Sequence, residues 1–357
     1  MNGRSIRTFL SANGSEGFLS LYPQFLKGLD QYVIKGGPGT GKSSMMKTIA
    51  KEAIHSGYFT EYIYCSSDAD SLDGVYIPAL NTTICDGTAP HTSDPNYPGA
   101  CGQIINVSDC WDEKRLKKSK NEIIRLSTEI SECYIKVYGY LKAAGAVYAD
   151  RKQICQKYFN QPKADTFVSS FIKRHISQNT TKDSTPGKVH DRFLSSFTPQ
   201  GFVTFRDTIY TMADYVYTVQ DKYGIGSYLV GKIAQAAIDE GYDTYRFFNP
   251  LAPDEIIHIA IPQLNFAIVC SDKQTPFEPQ NTRRIKTDRF ISDEIYMALN
   301  KIRYAGKIIS MSQEQALEFL KYAKALHDDL EDLYIAAMDF EKLNRLTASA
   351  MTKIFIK

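Results

Sequence analysis

A chain of 357 residues with 42 basic and 40 acidic side chains, net charge +2, is long enough for about two domains, and its balanced charge argues against a dedicated nucleic-acid surface. Seven cysteines without a C-x-x-C pair indicate neither a zinc site nor a disulfide framework. No run approaches 18 apolar residues and the start lacks a signal-type apolar core, so a cytoplasmic protein without a membrane span is expected.

In chain order, the first half opens with TFLSANGSEGF and a predicted helix over 19–29. An apolar β-type run at 32–34 then feeds a glycine-rich loop that fits G-x-x-x-x-G-K-[ST], with Gly36, Gly41, Lys42 and Ser43 at the fixed places. This is the phosphate-binding loop pattern (P-loop, Walker A). It predicts a nucleotide-binding set of Gly36, Gly37, Pro38, Gly39, Thr40, Gly41, Lys42, Ser43 and Ser44. Backbone N–H groups must converge on the phosphates, which needs conformations a Cβ forbids. Lys42 reaches the β- and γ-phosphates, Ser43 ligates Mg²⁺, and the helix opening at Lys42 points its positive end at the anion. That helix is predicted to run to about His55, with Met45, Met46, Ile49, Ala53 and Ile54 on one stripe and Gly57 as its C-cap. Further β-type runs at 61–65, 82–85 and 104–107 end the α/β part. A mostly parallel sheet follows, with ligands at the strands' carboxyl ends.

From 112 to about 158 apolar residues at spacings of three and four predict a long helical seam, broken near Gly139 or Gly145. A polar, breaker-rich stretch reads as a linker. Sliding the sequence by 184 residues then lays 7–88 on 191–272 without a gap: Phe9 falls on Phe193, Gly57-Tyr58 on Gly241-Tyr242, Ile77-Pro78 on Ile261-Pro262, and Leu80-Asn81 on Leu264-Asn265. The chain thus reads as a tandem duplication. Ser312 with Gln315 forms a capping box for a second helical run to about 354. The expected fold class is α/β, a P-loop NTPase with a three-layer, mostly parallel sheet duplicated in tandem. Its parts are a core over 1–110, a helical appendage over 111–177, a linker over 178–190, a degenerate second core over 191–292 and a second appendage over 293–357.

Around the phosphate, Asp86 at the end of an apolar strand is the candidate Mg²⁺ partner, with an Asx-type turn before Gly87 as the alternative. Asp68 and Asp70 compete as water-orienting base or as turn caps. Lys42, Asp86 and Asp68 are the catalytic candidates, and Ser43 with Asp86 the metal ligands. No glutamate follows Asp86, which argues against a fast motor, and no Asn-Lys-x-Asp tetrad selects guanine, so ATP is favoured by default. His91 reads as a phosphate contact or a surface-loop residue. Lys114, Arg115, Lys117, Lys118 and Lys120 form a lid, a nucleic-acid contact or a solvated helix face. In the second half, Gln220 aligns with Gly36, Ile225 with Gly41, Gly226 with Lys42 and Cys270 with Asp86, while Ser227 matches Ser43. This predicts a pseudo-NTPase. Arg283-Arg284 reads as an arginine finger for the first site or as a solvated loop.

The strings YCSSDADSLDGVYIPAL, DGTAPH, DPNYPGA and IINVSDCWD, with the glycine loop before them and the repeat after, resemble an uncharacterised bacterial family of tandem P-loop ATPases, sometimes labelled nucleotide kinases. The resemblance covers nearly the whole chain. It implies ATP with Mg²⁺ at 36–43, and it makes Asp68, Asp86 and His91 parts of shared motifs. Many members keep a lysine-bearing loop in the second half; this chain departs there. The expectation is an ATP-binding NTPase of modest turnover whose helical appendages meet a protein partner. The alternatives are a nucleotide or small-metabolite kinase and a nucleic-acid-dependent ATPase.

Overall fold

Two six-stranded sheets, one per half, carry the structure, a computed structural model that describes residues 3–88, 94, 95, 97–176, 185–272, 276, 277 and 283–355. The first half runs β1 (Ser5–Thr8), β2 (Ser11–Gly14), β3 (Gly17–Ser20), α1 (Tyr22–Phe25), β4 (Asp30–Lys35), α2 (Lys42–His55), β5 (Thr60–Tyr64), β6 (Leu72–Ile77), β7 (Thr82–Asp86) and β8 (Gly102–Asn106). Helices α3 (Glu113–Lys118), α4 (Lys120–Gln156) and α5 (Gln161–His175) follow. Its sheet is ordered β1-β5-β6-β7-β4-β8, with β6 antiparallel to both neighbours and the other pairings parallel. The glycine loop therefore leaves β4 between β7 and β8. Sequence reasoning missed β6, because Asp73 and Gly74 interrupt its apolar alternation.

The second half repeats the plan: β9 (Val189–Arg192), β10 (Ser195–Thr198), β11 (Gly201–Thr204), α6 (Arg206–Met212), β12 (Tyr215–Gln220), α7 (Gly226–Asp239), β13 (Thr244–Asn249), β14 (Ala252–Ile261), β15 (Phe266–Ser271), β16 (Arg283–Lys286), α8 (Leu299–Ile335) and α9 (Phe340–Phe355). Its sheet order, β9-β13-β14-β15-β12-β16, is that of the first sheet strand for strand. One register differs from the ungapped alignment. Lys35 ends β4 opposite Asn106, and Gln220 ends β12 opposite Lys286, so Asp221 and not Gln220 takes the place of Gly36. Since α2 and α7 return to the 184-residue offset, the second loop is one residue shorter than the first.

Several local expectations are corrected. The segment 19–29 holds the end of β3 and the four-residue α1, which begins at Tyr22 with Pro23 in its first turn and is followed by a left-handed Gly28 (φ +75°). Helix α4 passes through Gly139 and Gly145 unbroken. Gly145 serves close approach instead, since a Cβ there would lie 2.4 Å from Ser15 Cβ. Ser312 lies inside α8 and caps nothing; Ser292 caps the 3₁₀ turn that leads into that helix, accepting the Glu294 N–H at 3.2 Å. The expected linker overruns β9, which begins at Val189 and pairs with β13; part of it lies outside the described residues.

The halves are joined by equivalent residues. Phe9 and Phe193 exchange N–H···O bonds of 2.9 Å. The bridge Trp111–Met338 has its counterpart in Phe159–Ile291. Helices α4 and α8 lie antiparallel: Val137, Leu141 and Ala144 pack near Ile309, Ala316 and Leu320, while Leu126 and Cys133 pack near Ala323, Leu326 and Leu330. At 37 residues each, these helices span about 55 Å at 1.5 Å per residue. Their ends are exchanged. Ala164, Val168 and Phe171 of α5 join the core around α7, and Leu343, Ala350 and Ile354 of α9 join the core around α2. Each helical appendage thus closes the opposite core.

Candidate functional site

At the carboxyl end of β4 the chain turns through 36–41 into α2. Gly39 (φ +64°) and Gly41 (φ +83°) are left-handed, which a Cβ would strain. Thr40 Oγ1 donates to the Gly37 carbonyl at 2.8 Å and braces the turn. The first amides of α2 have no partner within the helix, so they and the helix dipole make an anion-binding end. Lys42 Nζ folds over the loop, donating to the carbonyls of Gly36 (3.1 Å) and Gly37 (2.6 Å), and lies 3.5 Å from Asp86 Oδ2. Asp86 stands at the end of β7, in register with Ile34 of the neighbouring β4, which is why these charges meet. Its Oδ1 accepts the Thr88 N–H at 2.8 Å and the Thr88 hydroxyl, so the turn-capping role holds while Oδ2 faces Lys42. Ser43 Oγ accepts the Leu72 N–H at 3.0 Å. Ser43 Oγ and the Asp86 carboxylate are the hard oxygen donors that a magnesium ion would use here.

The rest of the surroundings come from the second half. Glu331 of α8 accepts the Gly39 N–H on Oε1 at 3.1 Å. A Cβ on Gly37 would lie 2.5 Å from the Tyr334 ring, and one on Gly41 would lie 2.4 Å from Leu343 Cδ2. Sequence reasoning missed these residues, because on α8 and α9 they read as one more solvated or seam-facing helix surface, with no local motif to mark them. Asp68 is also drawn toward α8. Its carboxylate accepts the Asp70 N–H (3.0 Å) and the Ser71 hydroxyl (2.9 Å), and Lys324 Nζ stands 3.7 Å away. Burial pushes the Asp68 carboxyl up, but these hydrogen bonds and Lys324 outweigh it and hold it below the usual range. Among the described residues no ion pair joins Asp68 to Lys42. Asp70 is exposed, and its carbonyl receives Lys47 Nζ at 2.6 Å. His327, Asp328 and Glu331 bring one donor atom each within 4.8 Å of one another. Burial lowers the pKa of His327, and Glu331 opposes that shift.

The arginine-finger expectation is corrected. Arg283 donates to the Tyr217 hydroxyl at 3.1 Å and stacks near that ring in the second core, far in the topology from the first loop. The cluster Lys114, Arg115, Lys117, Lys118 and Lys120 is exposed on α3 and the start of α4, with Lys117 paired to Glu113 at 3.0 Å. His91 lies outside the described residues.

The second loop fills its own anion site. Asp221, at the place of Gly36, accepts the N–H groups of Ile225 (3.0 Å) and Gly226 (2.9 Å) at the start of α7. Burial raises the Asp221 carboxyl despite those bonds. Cys270 stands where the first half has Asp86, and a cation arrives from α4: Lys152 Nζ lies 3.3 Å from Ser227 Oγ and pairs with Glu255. Lys152 occupies on α4 the position that Glu331 occupies on α8, so the two helices reach the opposite loops with opposite charges. Beside the second loop opens a cavity of about 960 Å³, walled by Gln220, Asp221, Tyr223, Cys270 and the first turns of α8.

A scan against protein-family models, a search of curated proteins and a search of solved structures each returned no match to this chain. Among the described residues no helix is long and apolar enough to cross a membrane.

Proposed function

We propose that the first half binds a magnesium–nucleoside triphosphate, with ATP the expected nucleotide, and hydrolyses it slowly, while the second half acts as a pseudo-NTPase that shapes the first site. In this reading the fold is that of a duplicated P-loop NTPase. The observation that carries it is the loop itself: two left-handed glycines, the amino end of a 14-residue helix, and a lysine 3.5 Å from the strand-end Asp86.

The residues divide the work by their chemistry. Amides of Gly37 and of 39–43 line the phosphates, Pro38 having no N–H to give, and Lys42 exchanges the carbonyls of Gly36 and Gly37 for phosphoryl oxygens, since a cation gains more from an anion than from neutral acceptors. Bound Mg²⁺ would neutralise charge that develops on the phosphoryl oxygens. Ser43 and Asp86 would hold it. Slow turnover follows from the absence of a glutamate after Asp86. The kinase alternative needs Asp68 as an acceptor-side base, and the hydrogen bonds and cation that keep its pKa low weaken a carboxylate as a base. The nucleic-acid alternative rests on the exposed α3 cluster alone.

Calorimetry with Mg-ATP tests the reading. The unaltered chain should bind, and Lys42→Ala should bind at least tenfold more weakly, a loss of about 1.4 kcal/mol or more. Equal affinity in both proteins would refute it.

A further inference from the structure

We propose that Glu331, carried in by the second half, is a built-in stand-in for the triphosphate: its carboxylate takes the Gly39 amide of the loop, and nucleotide binds by exchanging with it. The inference rests on the nucleotide-binding reading above and names the regulation of that site.

The Gly39 amide is the first element of the argument. Gly39 is left-handed (φ +64°), and Glu331 Oε1 accepts its N–H at 3.1 Å. A phosphate-binding loop offers such amides to anionic oxygens, and a carboxylate is the anion of that kind that a protein can supply itself. The contact is not a loose surface encounter. A Cβ on Gly39 would lie 2.8 Å from the Glu331 carbonyl and 3.0 Å from its Cα, so the α8 backbone itself lies on the loop. Tyr334, one turn later, covers Gly37. Lys42 donates to the loop carbonyls of Gly36 and Gly37, and among the described residues no hydrogen bond or ion pair joins it to Glu331.

A polyphosphate and Glu331 cannot share that amide. Both are anions, and two like charges at hydrogen-bonding separation from one donor repel, most strongly where water is excluded. Glu331 must therefore withdraw when the phosphates arrive, and its withdrawal unpins the last turns of α8. The same helix begins at the other half, where Leu299, Ile302, Arg303 and Lys307 wall the cavity of about 960 Å³. The second half has kept a role without phosphate chemistry of its own: it holds the competing anion. The corresponding α4 residue is the cation Lys152, so α4 brings no competing anion to the second loop, whose amides are capped by its own Asp221.

The experiment is calorimetric titration of the unaltered chain, Glu331→Ala, Glu331→Gln and Lys42→Ala with the magnesium complex of adenylyl imidodiphosphate, a non-hydrolysable ATP analogue. Glu331→Ala should bind about tenfold tighter than the unaltered chain. Glu331→Gln, which keeps an acceptor for Gly39 but not the charge, should fall between them. Hydrogen exchange in the last turns of α8 should rise in the unaltered chain when the analogue is added. Equal or weaker binding by both Glu331 variants, while Lys42→Ala still binds at least tenfold more weakly than the unaltered chain, would overturn this inference and leave the nucleotide reading standing. Lack of binding by all four proteins, each showing a cooperative thermal transition, would overturn both. If Glu331→Ala fails to fold, Glu331→Gln decides: binding no tighter than in the unaltered chain refutes the proposal.

Discussion

Replacing Arg192 with methionine removes one partner of the ion pair that joins the two halves at their centre. Arg192 Nε and Nη2 donate to the two oxygens of Glu61 at 2.6 and 2.8 Å, and both side chains are at most 3% exposed. Thr8 Oγ1 adds a third hydrogen bond to Oε1. Burial pushes the Glu61 carboxyl up, yet the Arg192 charge and these donors outweigh it, so Glu61 titrates below the ordinary carboxylate range. Methionine roughly fills the arginine stem's volume but leaves a buried carboxylate without its cation, and breaking one side of such a pair costs about 3–5 kcal/mol. The assay is urea unfolding at neutral pH, read by far-UV circular dichroism and by tyrosine fluorescence so that coincident transitions can be checked. Sign follows from linkage: a depressed acid contributes stability above its unfolded pKa and loses it as pH falls through its folded pKa. The unaltered chain should therefore lose this contribution on acidification. In Arg192→Met, where Glu61 takes up a proton readily, the deficit should shrink as pH falls below about 5. Glu61→Gln combined with Arg192→Met should recover much of the loss, because no unpaired charge remains. A single variant within about 1 kcal/mol of the unaltered chain, or a deficit independent of pH, would refute the reasoning.

Titration with Mg-ATP should saturate at one magnesium-nucleotide per chain, since Asp221 already fills the second loop and Cys270 replaces the acid; equilibrium dialysis giving two would contradict it. Leu343→Ala should destabilise the chain by about 2–5 kcal/mol, because Leu343 is 5% exposed in the core that α9 shares with α2. The same variant should also loosen the loop at Gly41, so protection of the α2 amides in hydrogen exchange should fall more than that of the α7 amides.

Much of the first site could be read without a structure because its information is local. The strand at 32–34, the glycine spacing and the stripe of α2 are contiguous, and β4 and α2 form around them. The repeat was legible for the same reason: turn residues such as Asn81 and Asn265, both left-handed, recur at one offset. What escaped was non-local or sub-threshold. The one-residue shift at β12 leaves the flanking matches in place, so an ungapped alignment passes over it and puts Gln220 where Asp221 belongs. Strand β6 carries Asp73 and Gly74 at buried positions, which hides its alternation; a Cβ on Gly74 would lie 3.2 Å from Ile63 Cδ1 and 3.3 Å from the Ile84 carbonyl, a tight fit. Helix α8 was given too late a start because Ser312 offers a capping pattern, whereas seam residues Ile302, Ala305 and Ile309 already lie on its buried face. The exchange of helical ends has no sequence signature at all, since an amphipathic helix states which face is apolar and not which core it covers.

That exchange decides how the duplication should be understood. Were each appendage folded back on its own core, the second half could lose its loop chemistry and become dispensable to the first. Here α9 supplies Leu343, Ala350 and Ile354 to the core beneath the first loop, and α8 supplies Tyr334 and Glu331 to its rim. Part of the first site's core and rim is therefore made by the second half. The second half, in turn, is free to fill its own loop, because what the first site takes from it is a helical hairpin and not a phosphate cradle. Asp221 at the start of α7 and Lys152 beside Ser227 stabilise that loop from within. Gly226 stands where the first half has Lys42, in a loop one residue shorter whose amides Asp221 already caps, so the asymmetry between the halves is built into the backbone.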